Sequence, residues 1–340
     1  MTNKIAVNGR CFLRRITGVE RYAHEISKRM EPNPRIIAPR KMLGQISGHL
    51  WEQFILPAQL HNDRVLWSPA NAGPWTISSQ AVTIHDASVF DHPEWFRPSF
   101  AAWTRLSWKI LAKQAKAIIT VSSFSHERLK YHLKISDEKI HIIPNGVGRP
   151  FELQPQKTIE VVKEKYGLTR PYFLFVGTVE PRKNLPNLFQ AWEQAEINHH
   201  TLIIAGTKGI VFAEANGQHV KSDTIKWLGY VPEPDLPALY AGAIAVIIPS
   251  FYEGFGLTAL EAMACGAPVI ASNTTAFPET TGDAALLVDP HNSNELSDVM
   301  KNIMENKKLA NTLRERGLQR GAQFTWEESA CRTQSLLESL

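Results

Sequence analysis

Eleven short apolar runs punctuate this sequence: Lys4–Val7, Val65–Trp67, Ala81–Ile84, Ala117–Val121, Ile140–Ile143, Tyr172–Val176, Thr201–Ala205, Ile225–Leu228, Ala243–Ile248, Pro268–Ala271 and Ala285–Val288. Runs this short and continuously apolar suit strands buried on both faces. Between many of them lie helical patterns, such as Arg21–Met30, Ser125–His132, Asn187–Gln194 and Asp235–Ala241. Strand and helix in alternation restrict the chain to an α/β fold with doubly wound parallel sheets, because parallel neighbours need a crossover and the helix supplies it. The runs form two groups, parted by Asn145-Gly146-Val147-Gly148-Arg149-Pro150 and a polar stretch to about Ile159. At 340 residues the chain exceeds one ordinary core, so two domains are expected, residues 1–150 and 151–322. Two such domains facing across a cleft would bring strand C-termini and helix N-termini together, where open α/β sheets bind ligands.

The stretch Pro249-Ser-Phe-Tyr-Glu253-Gly254-Phe255-Gly256-Leu257 follows one of these runs, and Thr258–Ala264 then carries good helix formers until Gly266 and Pro268 stop it. A buried strand thus runs through a Gly-rich turn into a helix. Gly254 and Gly256 permit close backbone approach, and the free N–H groups of the first helical turn favour a phosphate. Glu253 and Glu261 flank that anion site. Gly254-x-Gly256-x-x-Ala259 also matches the dinucleotide fingerprint, but the next strand leads into Asn273 and Thr274 where that fingerprint wants an acid. A plain tight turn and a nucleotide-sugar site are the other two readings. The loop Gly177-Thr-Val-Glu-Pro181-Arg182-Lys183-Asn184 favours the last, since Arg offers a planar fork and Lys a compact charge to a diphosphate at a strand C-terminus.

Cys11, Cys265 and Cys331 are far apart and lack metal-ligand spacing, so reduced thiols in a cytosolic protein are expected. The N-terminal apolar run is too short for a signal peptide or a membrane span. The net charge of +4 conceals an asymmetry: residues 1–150 hold 21 Lys and Arg against 11 Asp and Glu, and the remainder 16 against 22. A basic first half suits an anionic membrane surface or a diphosphate-bearing acceptor; no nucleic-acid motif appears, and nucleic acid is not expected as a partner.

Several motifs together resemble the family 4 retaining glycosyltransferases. They are Gly177-Thr-Val-Glu-Pro-Arg182-Lys183-Asn184, Gly229-Tyr-Val, the Pro249–Val269 stretch with Glu253 and Glu261, Gly282-Asp-Ala-Ala, and in the first half Thr17-Gly18-Val-Glu20, Thr83-Ile-His85-Asp86, Thr120-Val-Ser122 and Ile143-Pro-Asn145-Gly146. The resemblance implies a GT-B fold of two Rossmann-like domains, an acceptor-side first half and a donor-side second half, with residues 323–340 crossing back as a last helix and a hinge near Asn145–Gly146. It implies transfer of a sugar from a nucleotide diphosphate with retention, without a metal or other cofactor. Breaking the sugar–diphosphate bond puts negative charge on the leaving phosphate, so Arg182, Lys183 and the N–H groups of Phe255–Leu257 become the main catalytic cations and donors. The resemblance places Glu261 on the ribose hydroxyls and Glu253 near the transferred sugar, with His85 against the donor sugar. Gly177 and Gly18 join the donor site by position, and Asp86 joins His85 as a catalytic candidate.

Phe100, Trp103, Ile110 and Leu111 recur at helical spacing within residues 97–116, while Arg105, Lys109, Lys113 and Lys116 line another side. A membrane-surface helix and a packed helix with a solvated basic face are both open readings. The expected protein is a cytoplasmic enzyme, peripheral on the inner face of the cell membrane, that uses a nucleotide sugar, GDP-mannose in the first place, and a lipid-linked or oligosaccharide acceptor. UDP- or dTDP-sugar donors, a nucleotide-sugar epimerase and a dinucleotide-dependent oxidoreductase are the alternatives.

Overall fold

The computed structural model describes residues 5–60, 65–207 and 223–340; Lys4, where the first expected strand begins, lies outside them. Each of the eleven apolar runs contains a strand, and among the described residues one further strand appears. In chain order they are β1 (Ile5–Asn8), β2 (Arg35–Ile37), β3 (Val65–Ser68), β4 (Gln80–Thr83), β5 (Ala117–Thr120), β6 (Ile140–Ile142), β7 (Tyr172–Val176), β8 (Thr201–Ala205), β9 (Ile225–Gly229), β10 (Val246–Ile248), β11 (Val269–Ser272) and β12 (Ala285–Val288). β2 is the addition. It is an edge strand with only Ile37 buried, and its apolar run, Ile36-Ile37-Ala38, is short and closed by Pro39.

By internal contacts the chain divides into two units. The first takes in the chain to Pro93, Pro98–Gly146 and Phe324–Leu340; the second takes in Glu94–Arg97 and Val147–Gln323. Each holds one six-stranded, all-parallel sheet. The first sheet runs β2-β1-β3-β4-β5-β6 and the second β12-β11-β10-β7-β8-β9. The second is the strand order of a Rossmann sheet, and the first that of its flavodoxin-like relative, extended by one strand.

These orders fix where ligands fit. The chain leaves a doubly wound sheet in opposite directions at the switch point, opening a crevice beyond the strand C-termini. In the second sheet that point lies between β7 and β10, and in the first between β1 and β3. The core beneath the second sheet is built from Phe173, Phe175, Leu188, Trp192, Leu202 and Ile204, packed against Leu296 and Met300 of helix Ser293–Glu305. Burial of each such side chain contributes about 1.5 to 3 kcal/mol, so the strands that carry the loops are firmly seated.

Candidate active site

The loop that leaves β7 and the loop that leaves β10 meet at the switch point of the second unit. The backbone N–H of Phe251 donates to the carbonyl of Arg182 at 2.8 Å. Asn184, held in the left-handed region at φ 55°, donates its side-chain amide to the carbonyls of Pro249 at 3.0 Å and Pro290 at 2.6 Å. One side chain thereby fastens three loops, and asparagine is among the few residues that adopt this backbone and can donate twice. Asn184 stands in the motif, but its pinning role has no signal in sequence.

On this frame Arg182, Lys183 and Glu253 converge. Lys183 Nζ lies 2.6 Å from Glu253 Oε1, and Arg182 Nη1 lies 3.4 Å from Glu253 Oε2. Burial disfavours the charged carboxylate, but the charges of Lys183 and Arg182 outweigh it and hold Glu253 below the usual carboxylate range. Arg182 Nε also pairs with Glu180, a buried carboxylate whose second oxygen has no hydrogen-bond partner among the described residues. Glu180 was not among the expected site residues, although it stands only two positions from Arg182. Gly177, at the end of β7, has Lys183 as its neighbour: a Cβ there would lie 3.5 Å from Lys183 Cε.

The expected Gly-rich turn leads into helix Leu257–Ala264. Gly256 has φ +94°, and a Cβ would come within 3.1 Å of the Phe277 ring, so glycine is required on both backbone and packing grounds. Thr280 Oγ1 donates to the Phe255 carbonyl, and the N–H of Glu253 donates to Thr275 Oγ1 at 3.1 Å, which aims the turn. Gly254, Phe255 and Gly256 are buried within it. Glu261 projects from the helix and accepts the Tyr240 hydroxyl at 3.1 Å through Oε2. Trp95, from the short excursion Glu94–Arg97, stacks on Phe251 with ring centroids 6.5 Å apart and meets Tyr252 edge-on at 6.3 Å. No sequence signal joins Trp95 to this turn, since the contact is between segments far apart in the chain.

The expected residues of the first unit occupy the C-terminal side of its own sheet. His85 follows β4; its Nε2 lies 2.9 Å from the Pro69 carbonyl, and its backbone N–H donates to Asn71 Oδ1 at 2.9 Å. A carbonyl only accepts, so Nε2 carries the proton and Nδ1 keeps its lone pair. Burial lowers the pKa of His85 from its ordinary value, and the Tyr22 ring packs edge-on at 4.7 Å. Asp86 instead braces its own loop, where Oδ1 accepts the Ser88 N–H at 2.8 Å and the Ser88 hydroxyl at 2.6 Å at the start of helix Ser88–Asp91. Gly18 begins helix Gly18–Ser27 in the loop from β1, on one side of that unit's switch point. An open concavity lined by His126, His141, Cys331 and Arg332 lies elsewhere in the same unit and contains none of the expected residues.

Helix Pro98–Gln114 corrects part of the surface reading. Trp103 packs on His49 and Trp75 at ring distances of 5.2 and 5.1 Å, and Trp108 is buried with its indole N–H on the Asn71 carbonyl at 2.7 Å. Arg105 reaches back to the Phe90 carbonyl at 3.3 Å. The tryptophans turn toward protein because each has a partner there, and Ala102, Leu106, Lys109 and Lys113 face outward.

Two parallel-stranded units, each a doubly wound six-stranded sheet, define a fold of GT-B type. Sequence profiles agree: "Glycosyl transferases group 1" matches residues 157–320 and "Glycosyltransferase Family 4" matches residues 58–148. The chain is 33% identical over 285 residues to the O-antigen chain mannosyltransferase B of Escherichia coli, covering 81% of this chain and 74% of that one. It is 28% identical over 230 residues to the serotype-specific mannosyltransferase WbdA of Escherichia coli, covering 64% of this chain but 28% of that longer protein. Its fold is similar to that of Anabaena HepE in complex with UDP-glucose, with TM-score 0.78, 18% identity and 99% of each chain covered. The chain belongs to the family 4 glycosyltransferases.

Proposed function

We propose that this protein is a retaining, metal-independent hexosyltransferase that moves mannose from GDP-mannose to a lipid-linked or growing oligosaccharide acceptor in bacterial surface-glycan synthesis, working peripherally on the inner face of the cell membrane. The observation that carries the reading is the convergence of Arg182 and Lys183 on Glu253 beside the N-terminus of helix Leu257–Ala264. The mannosyl donor and the surface-glycan setting are supported by the names of the mannosyltransferase relatives.

As the bond from the anomeric carbon to the diphosphate oxygen breaks, its electron pair stays on the β-phosphate. Lys183 and Arg182 exchange part of their pairing with Glu253 for that developing charge, and the first-turn N–H groups of the helix face it. Charge stabilisation of this kind acts where charge is greatest, which is in the transition state. Glu253, released, accepts hydroxyls of the sugar. Glu261, already oriented by Tyr240, accepts ribose hydroxyls. The acceptor oxygen bonds the anomeric carbon on the face the phosphate leaves, and its proton passes to the departing phosphate oxygen. His85, neutral with Nδ1 as its acceptor nitrogen, receives a substrate hydroxyl.

Product analysis tests this. The purified protein is incubated with an acceptor glycan and, in turn, GDP-mannose, UDP-glucose, UDP-galactose and dTDP-rhamnose, with chelator present. Mannosyl transfer from GDP-mannose alone, with an α-linked product by NMR, is expected. Transfer from a uridine or thymidine donor would replace the donor assignment, and a β-linked product would overturn retention. Turnover of the donor without acceptor would favour an epimerase.

A further inference from the structure

Among the described residues, large apolar side chains left at the surface are of two kinds. Leu106, Tyr131, Leu153, Val161 and Tyr230 are scattered over separate elements, which is ordinary for a protein surface. Most of the others gather in one stretch, with Leu13, Ile16 and Ile36 outside it: Met42, Ile46, Leu50 and Phe54 are 70%, 78%, 54% and 70% exposed, and Ile55 is nearly half exposed. Ile46, Leu50 and Phe54 stand four apart on the continuous helical run Gln45–Leu50, Trp51–Ile55 and Leu56–Ala58, so they line one side of it.

The opposite side of that run is the one the fold needs. Gly48, Trp51, Glu52 and Leu56 are buried, and Trp51 and Leu56 pack with Ala6, Ile37 and Leu66 of the sheet. Glu52 is ion-paired to the buried Arg10 and accepts Asn8 Nδ2 at 3.0 Å. Gly48 lies so close to the Arg10 guanidinium that a Cβ would stand 2.3 Å from it. The run is therefore locked by its inner side, and a helix so seated ordinarily turns a polar face outward. This one is apolar on both sides.

Within residues 35–58 the exposed charge is of one sign. From Arg35 to Ala58 the sequence has a single carboxylate, Glu52, which is buried and paired, while Arg40 and Lys41 are exposed just before Met42. Leu13 and Ile16, 37% and 47% exposed, flank Arg14 and Arg15 in the loop that follows β1, the strand paired to β2. Apolar side chains with basic residues and no exposed acid are complementary to an anionic bilayer. No helix among the described residues is long and apolar enough to cross one.

We propose that the outer side of residues 42–55 is the membrane-docking surface of this chain: Ile46, Leu50 and Phe54 enter the boundary between headgroups and acyl chains, and Arg40 and Lys41 meet lipid phosphates. The assignment rests on the peripheral association proposed above, and gives that role to this run in place of helix Pro98–Gln114.

Flotation of the full chain with vesicles tests it, using phosphatidylcholine alone and phosphatidylcholine with about 30% phosphatidylglycerol. Wild type is expected to float with the anionic vesicles. The triple variant Ile46→Ser/Leu50→Ser/Phe54→Ser, all at exposed positions, should bind at least about tenfold more weakly at any salt. Arg40→Gln/Lys41→Gln should bind roughly fivefold more weakly per charge at low salt, with the difference shrinking as salt rises. Lys109→Gln/Lys113→Gln on helix Pro98–Gln114 should float as wild type. Wild type failing to float with any vesicle, or the triple variant floating unchanged, would overturn the assignment. So would a dimer that the triple variant abolishes without altering flotation, which would give the surface to a second copy. GDP binding, measured on the same preparations, keeps the two proposals apart: vesicle binding without GDP binding would sink the donor reading alone, and the reverse would sink the docking surface alone.

Discussion

Arg182, Lys183 and Glu253 in one unit and His85 and Asp86 in the other occupy comparable places, just beyond the C-termini of parallel strands, but their side chains are held in different ways. The first three are held by ion pairs, Lys183 and Arg182 to Glu253 at 2.6 and 3.4 Å and Arg182 also to Glu180. His85 and Asp86 are held by neighbouring loops and their own backbone, at Pro69, Asn71 and Ser88. A site made of mutual pairs can redirect its charges to an incoming phosphate without disturbing the fold. A site made of backbone anchors cannot, and offers a fixed acceptor atom, the Nδ1 of His85. The second unit thus carries exchangeable charge and the first unit carries rigid polarity.

Lys183→Ala should break this contrast most severely. It removes the cation and leaves the buried Glu253 with less compensation, so kcat/KM in steady-state assays should fall by about 10²- to 10³-fold, equivalent to about 3 to 4 kcal/mol. His85→Ala, by comparison, should cost less, since it deletes one neutral hydrogen-bond acceptor. Gly146→Ala probes the rigid unit through its packing: the added Cβ would lie 2.2 Å from the Trp326 backbone nitrogen, so something must shift. A loss of about 1 to 3 kcal/mol in urea unfolding is expected, with GDP affinity retained if the second unit folds separately.

The pH dependence of stability separates the two units residue by residue. His85 has its folded pKa below its ordinary 6.5, so the unfolded chain binds the proton more readily. The stability it contributes is present above pH 6.5 and is lost as pH falls below that value. Glu253 has its folded pKa below 4.5, so its contribution is present above 4.5 and is lost only as pH falls further. Urea midpoints across this range should lose the higher-pH slope in His85→Asn and the lower-pH slope in Glu253→Gln. The smallest effect expected is that of Tyr240→Phe, which removes one hydrogen bond to Glu261, about 0.5 to 1.5 kcal/mol. It should raise the donor KM a few-fold and leave kcat unchanged.

Much of the fold was legible because parallel strands are buried on both faces and so write themselves as unbroken apolar runs. β2 escaped because its three apolar residues, Ile36-Ile37-Ala38, stand between Pro34-Arg35 and Pro39 and only Ile37 of the strand is buried, so the run reads as a proline-bounded loop. Strand order was not legible at all, since pairing between distant segments is not a local property, and with it the switch points stayed hidden. The turn at Gly254–Leu257 and the pair Arg182-Lys183 were legible as local chemistry, and the structure brings their unit's residues together as ion pairs. Asn184, Glu180, Tyr240 and Trp95 were missed because their roles exist only through partners contributed by other loops. The run 45–58 hid for a different reason: being apolar on both sides, it lacks the periodicity that marks a helix with one buried face.

Calorimetric titration of GDP and of guanosine into wild type and Lys183→Ala tests the central claim most directly, because guanosine differs from GDP only by the diphosphate that Arg182 and Lys183 are assigned to hold. Wild type should bind GDP far more tightly than guanosine, and Lys183→Ala should lose most of that difference while still binding guanosine as wild type does. Equal affinity for the two ligands in wild type, or a GDP preference that survives the substitution, would contradict the assignment of this site to the donor diphosphate.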